Sequence, residues 1–143
     1  MTRRVKSVVL RLRVKVERVD GAAQLEEVAV VNSGFGGVRP ELLVPREVAT
    51  RLRLREVVEP EVAYKVTGDG RRVALIRYPS SARVSLVEES PPAVVVDVLV
   101  AEGARRTLMN DKLISALSVV VIDPSEGLWC FRHELGHRVR RGV

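Results

Sequence analysis

The sequence predicts an all-β protein, a closed barrel of short strands with one or two small helices. Three observations predict it. Hydrophobic residues fill 46% of the 143 positions, and the excess is largely valine, whose branched Cβ loses rotamer freedom in helices and packs well on pleated surfaces. From Val5 to Val19 apolar and charged residues alternate, with Leu10, Leu12, Val14 and Val16 interleaved with Arg11, Arg13, Lys15 and Glu17, the period of a strand with one wet face. Turn signals recur at short spacing, among them Asp20-Gly21, Thr67-Gly68-Asp69-Gly70, Pro91-Pro92 and Asp123-Pro124-Ser125-Glu126-Gly127.

The elements follow in order. Asp20-Gly21 joins the first strand to a second, Leu25 to Val31, as a hairpin. That strand runs into Asn32-Ser33-Gly34-Phe35-Gly36-Gly37, where three glycines free the backbone to turn and present polar groups from a rigid base. Pro45, tolerated in a first helical turn, and the four-residue spacing of Val48 and Leu52 predict a short helix from about Pro45 to Leu54. Val57 to Val66 and Val73 to Tyr78 flank Thr67-Gly68-Asp69-Gly70 as a projecting hairpin. Further strands are expected at Ala82 to Val87 and Ala93 to Ala101, separated by Pro91-Pro92. A helix over Asp111 to Leu117 and a final hairpin, Val119 to Ile122 and Leu128 to Phe131, complete about eight strands.

Length fits one domain, read as a barrel over residues 1–132 and a basic C-terminal tail over 133–143 that carries Arg138, Arg140 and Arg141. The net charge of +6 favours polyanions. Aromatic residues make up only 3%, too few for the stacking platforms of single-strand binders, so nucleic acid is not an expected partner. The longest apolar run, Ala93 to Ala101, is broken by Asp97 and falls short of the roughly 20 residues of a spanning helix, so no membrane partner is expected. Met1-Thr2-Arg3-Arg4 does not open a signal peptide, and one cysteine, Cys130, cannot form an internal disulfide. A cytoplasmic setting and no cofactor are expected. Many Arg, Glu and Val with few Asn and Gln resemble a thermophile's composition.

The run from Asn32 to Gly37, then Glu41-Leu42-Leu43-Val44-Pro45 and a helix, resembles the active-site segment of retropepsin-like aspartic peptidases. Leu108-Met109-Asn110, with its following helix and the strand into Ile122-Asp123-Pro124, resembles the family's hydrophobic-hydrophobic-Gly element, and Gly68-Asp69-Gly70 falls where the family has its flap. Together these cover roughly residues 5–131. The resemblance implies an acid-protease-like barrel, one half of a pepsin-like two-fold arrangement, that pairs as a homodimer around a peptide or protein substrate. It assigns Asn32, Ser33 and Gly34 to the catalytic loop, with Ser33 bracing the two loops across the dimer. Phe35, Gly36, Gly68, Asp69 and Gly70 would line the substrate site, and Leu108, Met109 and Asn110 would pack against the loop. The tail over residues 133–143 would join the dimer interface.

Two departures from the family pattern stand out. Asn110 occupies a glycine position, a mild change because asparagine enters left-handed conformations more readily than most residues. Asn32 occupies the catalytic aspartate position. The family mechanism needs two carboxylates sharing one proton, one to activate water and one to polarise the scissile carbonyl. An amide does neither, and general acid and base assistance is worth about 10²- to 10⁴-fold per group. Three origins for Asn32 stay open: a natural non-catalytic relative, an inactivating substitution of an original aspartate in an active endopeptidase, or deamidation beside the small Ser33. Val38-Arg39-Pro40 reads as an insertion at the cleft rim.

A competing motif is His133-Glu134-Leu135-Gly136-His137, which holds the only two histidines. On a helix the imidazoles would share a face and bind zinc while Glu134 served as base, with Cys130 as a third ligand of a zinc-dependent hydrolase. Against this, the six residues after His137 contain no ligand, Arg132 and Arg138 flank the motif, and Gly136 weakens a helix. No metal is favoured. Trp129, Met109 and Cys130 are expected as buried packing residues, and Asp69, Asp111 and Asp123 as turn or helix-start residues.

Overall fold

A computed structural model describes residues 10–31, 34–88 and 92–143. In chain order it runs β1 (Arg11–Arg18), β2 (Gln24–Val31), β3 (Glu41–Val44), α1 (Arg46–Leu52), β4 (Glu61–Val66), β5 (Arg72–Leu86), β6 (Val94–Val100), β7 (Thr107–Met109), α2 (Asp111–Ala116), β8 (Val119–Asp123), β9 (Leu128–Phe131) and β10 (Arg140–Arg141). Seven strands form one sheet in the order β1-β2-β7-β3-β6-β5-β4, and the additional pairing of β1 with β5 closes six of them into a barrel. The all-β barrel with two short helices is the expected fold class. β4 hangs outside it on β5, and β8, β9 and β10 form a second small sheet.

The alternation in β1 points Leu12, Val14 and Val16 into the barrel and Arg11, Arg13 and Lys15 to water. Leu42, Val44, Val84, Val96, Val98 and Met109 come from the other walls to meet them. Full burial of one such side chain is worth about 1.5–3 kcal/mol, so these interior faces hold the barrel shut. Arg18 breaks the pattern: it is buried, and its guanidinium bonds Asp20, Glu56 and the carbonyls of Leu52 and Arg53. The first hairpin turn is thereby tied to the end of α1.

The structure corrects several expected boundaries. The strands expected at Val73 to Tyr78 and Ala82 to Val87 are one element, β5, with a register shift between Tyr78 and Ala82. Pro79 sits in that irregularity, where a missing N–H does no harm, and Ser80 takes a left-handed φ of 45°. Val57 to Pro60 is not strand. A 3₁₀ turn over Leu54–Glu56 leads into this stretch, with the Val57 and Val58 amides donating back to the Leu54 carbonyl, and pairing of β4 starts only after Pro60.

Within residues 133–143 the chain docks back on its own strands. β10 pairs with β9, Gly142 N donates to Gly127 O at 2.8 Å, and Val143 N donates to Arg11 O at 2.9 Å. A side chain at Gly142 would meet Leu10 Cδ1 at 2.6 Å and Arg11 O at 2.7 Å, so this close docking requires glycine. Among the described residues no helix is long and apolar enough to cross a membrane.

Candidate functional site

Asn32 and Ser33 lie outside the described residues. β2 and β7 run parallel, with Val31 opposite Met109, so both end on the same side of the barrel. The chain leaves β2, passes the start of α2 and returns as β3 on the far side of β7, where Leu42 faces Met109 and Leu43 faces Leu108. Residues 34–40 therefore lie against the start of α2, and Phe35 O accepts the Asp111 N–H at 2.9 Å.

Asn110 fastens this crossing. It is fully buried, and its Oδ1 accepts from Leu113 N and Glu41 N, each at 2.9 Å. Its Nδ2 donates to Arg39 O at 2.9 Å and to Glu41 Oε1 at 3.3 Å. All four hydrogen-bonding positions of the amide are used. The expectation that asparagine replaces glycine here through left-handed backbone is corrected: Asn110 is extended, φ −83° and ψ 173°, and is present for its side chain, as N-cap of α2. Leu108 is half-buried and Met109 has no exposure.

Sequence reasoning missed the charges beside this junction. Glu41 is buried; its Oε1 lies 2.7 Å from Lys65 Nζ and its Oε2 lies 3.1 Å from Arg77 Nη2. Asp97 is also buried, with Oδ2 3.3 Å from Arg39 and 3.7 Å from Arg77 Nε, while Oδ1 accepts the Ser80 N–H at 2.8 Å. The signal was present: Glu41 and Asp97 are acids embedded in apolar strands, and a buried charge requires a partner. Gly37 allows the packing, since a Cβ there would stand 2.5 Å from Glu41 Oε1 and 3.0 Å from Asn110 Nδ2.

Gly34, expected in the catalytic loop, is exposed; of the expected substrate-side residues, Gly36 is exposed and Phe35 is half-buried. Lys65 Nζ donates to Gly36 O at 3.3 Å and stands 5.5 Å from the Phe35 ring centroid. The β4–β5 hairpin thus meets the loop through Lys65, on its strand, rather than through its tip. Gly68, Asp69 and Gly70 form that exposed tip. Asp69 accepts from the Thr67 hydroxyl and the Arg71 N–H, which hold its carboxyl below the usual range, the Thr67 bond contributing most. It is a turn former.

The His-Glu-x-x-His segment lacks the geometry its motif requires. Only Arg132–Glu134 form a 3₁₀ turn, and Gly136 then reverses the chain at φ 81°. Glu134 is buried and committed: Oε1 accepts from Phe131 N at 2.9 Å and Arg140 Nε at 2.8 Å, and Oε2 accepts from Arg140 Nη2 at 2.7 Å. The Arg140 bonds, chiefly, pull its carboxyl down to about 2, aided by the Phe131 N–H. Such an acid is not a base for bound water. His133 stacks on Phe131 at 5.7 Å, and Cys130 is buried. Among the described residues no group of three His, Cys, Asp or Glu is placed to hold a metal ion. No family model and no curated protein matches this chain.

Proposed function

We propose that the chain is a retropepsin-like homodimer that does not cleave peptides as written, and that it holds extended peptides in a groove between subunits. The observation that carries this reading is the crossing of β2, β7 and β3, in which the loop entered through Asn32 is clamped to the start of α2 by Asn110. That frame suits a loop that must present one polar group in a fixed place. The hairpin is held beside that loop by Lys65, and an extended peptide would lie between the two. A chain of this size carries one such loop, so a complete groove needs a second copy.

Asn32 at the loop entrance cannot titrate near neutral pH, and a symmetric dimer would carry the amide twice. Backbone pairing to an extended peptide survives the loss of the carboxylate; proton transfer does not. The buried lone Cys130 suits a reducing, cytoplasmic setting.

The test has two arms. Sedimentation equilibrium should find a dimer at micromolar concentration, and a strictly monomeric protein at all concentrations ends the reading. The Asn32→Asp variant is then assayed on unfolded protein at acid pH with and without a pepstatin-type inhibitor. Inhibitable cleavage by the variant and none by the sequence as given supports the site assignment. A dimeric variant that cleaves nothing removes the peptidase ancestry from the account.

A further inference from the structure

The β4–β5 hairpin has two faces, and only one looks toward the loop. Lys65 and Arg77 project from that face toward Glu41. The pairings Val62↔Ile76, Tyr64↔Ala74 and Val66↔Arg72 build the opposite face. It is open to water and mostly apolar: Val62, Tyr64 and Val66 are 59%, 58% and 70% exposed, and the Arg72 guanidinium lies 4.6 Å from the Tyr64 ring centroid. Three such side chains at alternate positions of one strand are unusual in water, and they mark a contact surface.

Between this face and α1 runs a groove of about 560 Å³, lined by Val62, Ala74 and Ile76 on one side and Ala49 on the other. It continues along α1 into a second hollow of about 270 Å³ that shares Ala49, Thr50, Arg55 and Tyr78 with it. Arg46 and Arg55 stand in the groove wall, and neither is within ion-pair distance of an acid among the described residues. One acid, Glu102, lines the same groove. β4 is the last strand of its sheet, so its outer edge is open for backbone pairing among the described residues.

We propose that this outer face is a second docking site, taking an extended peptide segment that pairs with the edge of β4. Every second side chain of the segment would then fall on the Val62-Tyr64-Val66 face. Apolar side chains fit there, and carboxylates further along the same face meet Arg46 and Arg55. A second copy of this chain fits less well, because a two-fold axis through the patch would bring the same arginines together. The site lies on the other side of the hairpin from the proposed inter-subunit groove and does not depend on it.

The probe is a blocked peptide Val-Ser-Val-Ser-Glu-Ser-Glu, with Val-Ser-Val-Ser-Lys-Ser-Lys as its counterpart, each titrated into isotopically labelled full-length protein and followed by amide chemical shifts. The expected result is saturable shifts at Ala49, Thr50 and Val62 with the acidic peptide, and binding about tenfold weaker or more for the lysine peptide. The exposed pair Arg46→Glu and Arg55→Glu should reverse that preference, and Val62→Ser should weaken both peptides. Unchanged spectra away from the groove keep loss of folding apart from loss of binding. Equal affinity for both peptides, no saturable shift up to roughly 5 mM, or shifts centred on Phe35 and Gly36 would overturn the proposal. So would self-association lost on Val62→Ser, which makes the face a dimer surface, or preferential binding of heparin there, which makes it a polyanion site.

Discussion

Glu41 gathers partners from 24, 36 and 69 positions away, namely Lys65, Arg77 and Asn110. Glu134 is closed by Phe131 and Arg140, three and six positions away. Both carboxylates are buried, yet the cations that serve them differ. Lys65 and Arg77 keep 23% of their side-chain surface in water, whereas Arg140 keeps 5% and lies against the rings of Trp129 and Phe131 at 5.6 and 5.0 Å. The first cluster joins the hairpin to the barrel with groups water can compete for. The second seals a corner. Long-range partners with hydrated cations suit a joint that opens, and short-range partners under aromatic rings suit one that stays shut.

The sharpest way to break this contrast is Arg77→Met. It removes the cation shared by Glu41 and Asp97 and leaves each buried acid with one cation, Lys65 for Glu41 and Arg39 for Asp97. The expected loss is about 2–4 kcal/mol in chemical denaturation, somewhat below a fully buried pair because Arg77 retains some hydration. A loss within error of zero would mean that water already fills its place.

The sealed corner is read by pH. Glu134 titrates at about 2 in the folded protein, against an ordinary value of 4.5. A depressed folded pKa contributes stability that is complete above the unfolded value and is lost as pH falls through the folded one. Wild-type melting temperature should therefore fall between about pH 4.5 and 2 more steeply than that of Glu134→Gln. Parallel pH profiles for the two proteins would show that the Arg140 contact contributes nothing.

Lys65→Met carries the smallest expected effect, about 1 kcal/mol or less, since a partly exposed ion pair gains little. Its signature is local. Hydrogen exchange should speed up at Gly36, Gly37 and the amides of β4 and stay unchanged in β8 and β9; uniform acceleration would mean that Lys65 is no joint.

How much of this was legible depends on the range of the interaction. The alternation in β1 reads directly because burial on one face repeats every second residue, and Asp20-Gly21 reads because its turn is local. β3 and β7, of four and three residues, are too short to show a period and are strands only because β2, β6 and each other supply edges. The two strands expected on either side of residues 79–81 are one kinked strand, since the sheet on either side outweighs the one bond that Pro79 lacks. Asn110 was singled out for the wrong reason, because a substitution seen against a glycine pattern suggests backbone, while its amide bonds Glu41 across 69 positions. Lys65 and Arg77 were invisible as site residues, since nothing local distinguishes a cation facing a buried acid from one facing water.

β5 belongs to two mechanical units at once. Before Pro79, over residues 72–77, its backbone is the stem of the hairpin, pairing with β4, and after it, over residues 82–86, the same strand is a stave of the barrel, pairing with β1. At the kink between them the Ser80 amide is held by Asp97, whose other oxygen lies 3.3 Å from Arg39. One peptide unit and one carboxylate thus bridge the bend of β5 and the loop over residues 34–40, as a cleat joins two planks.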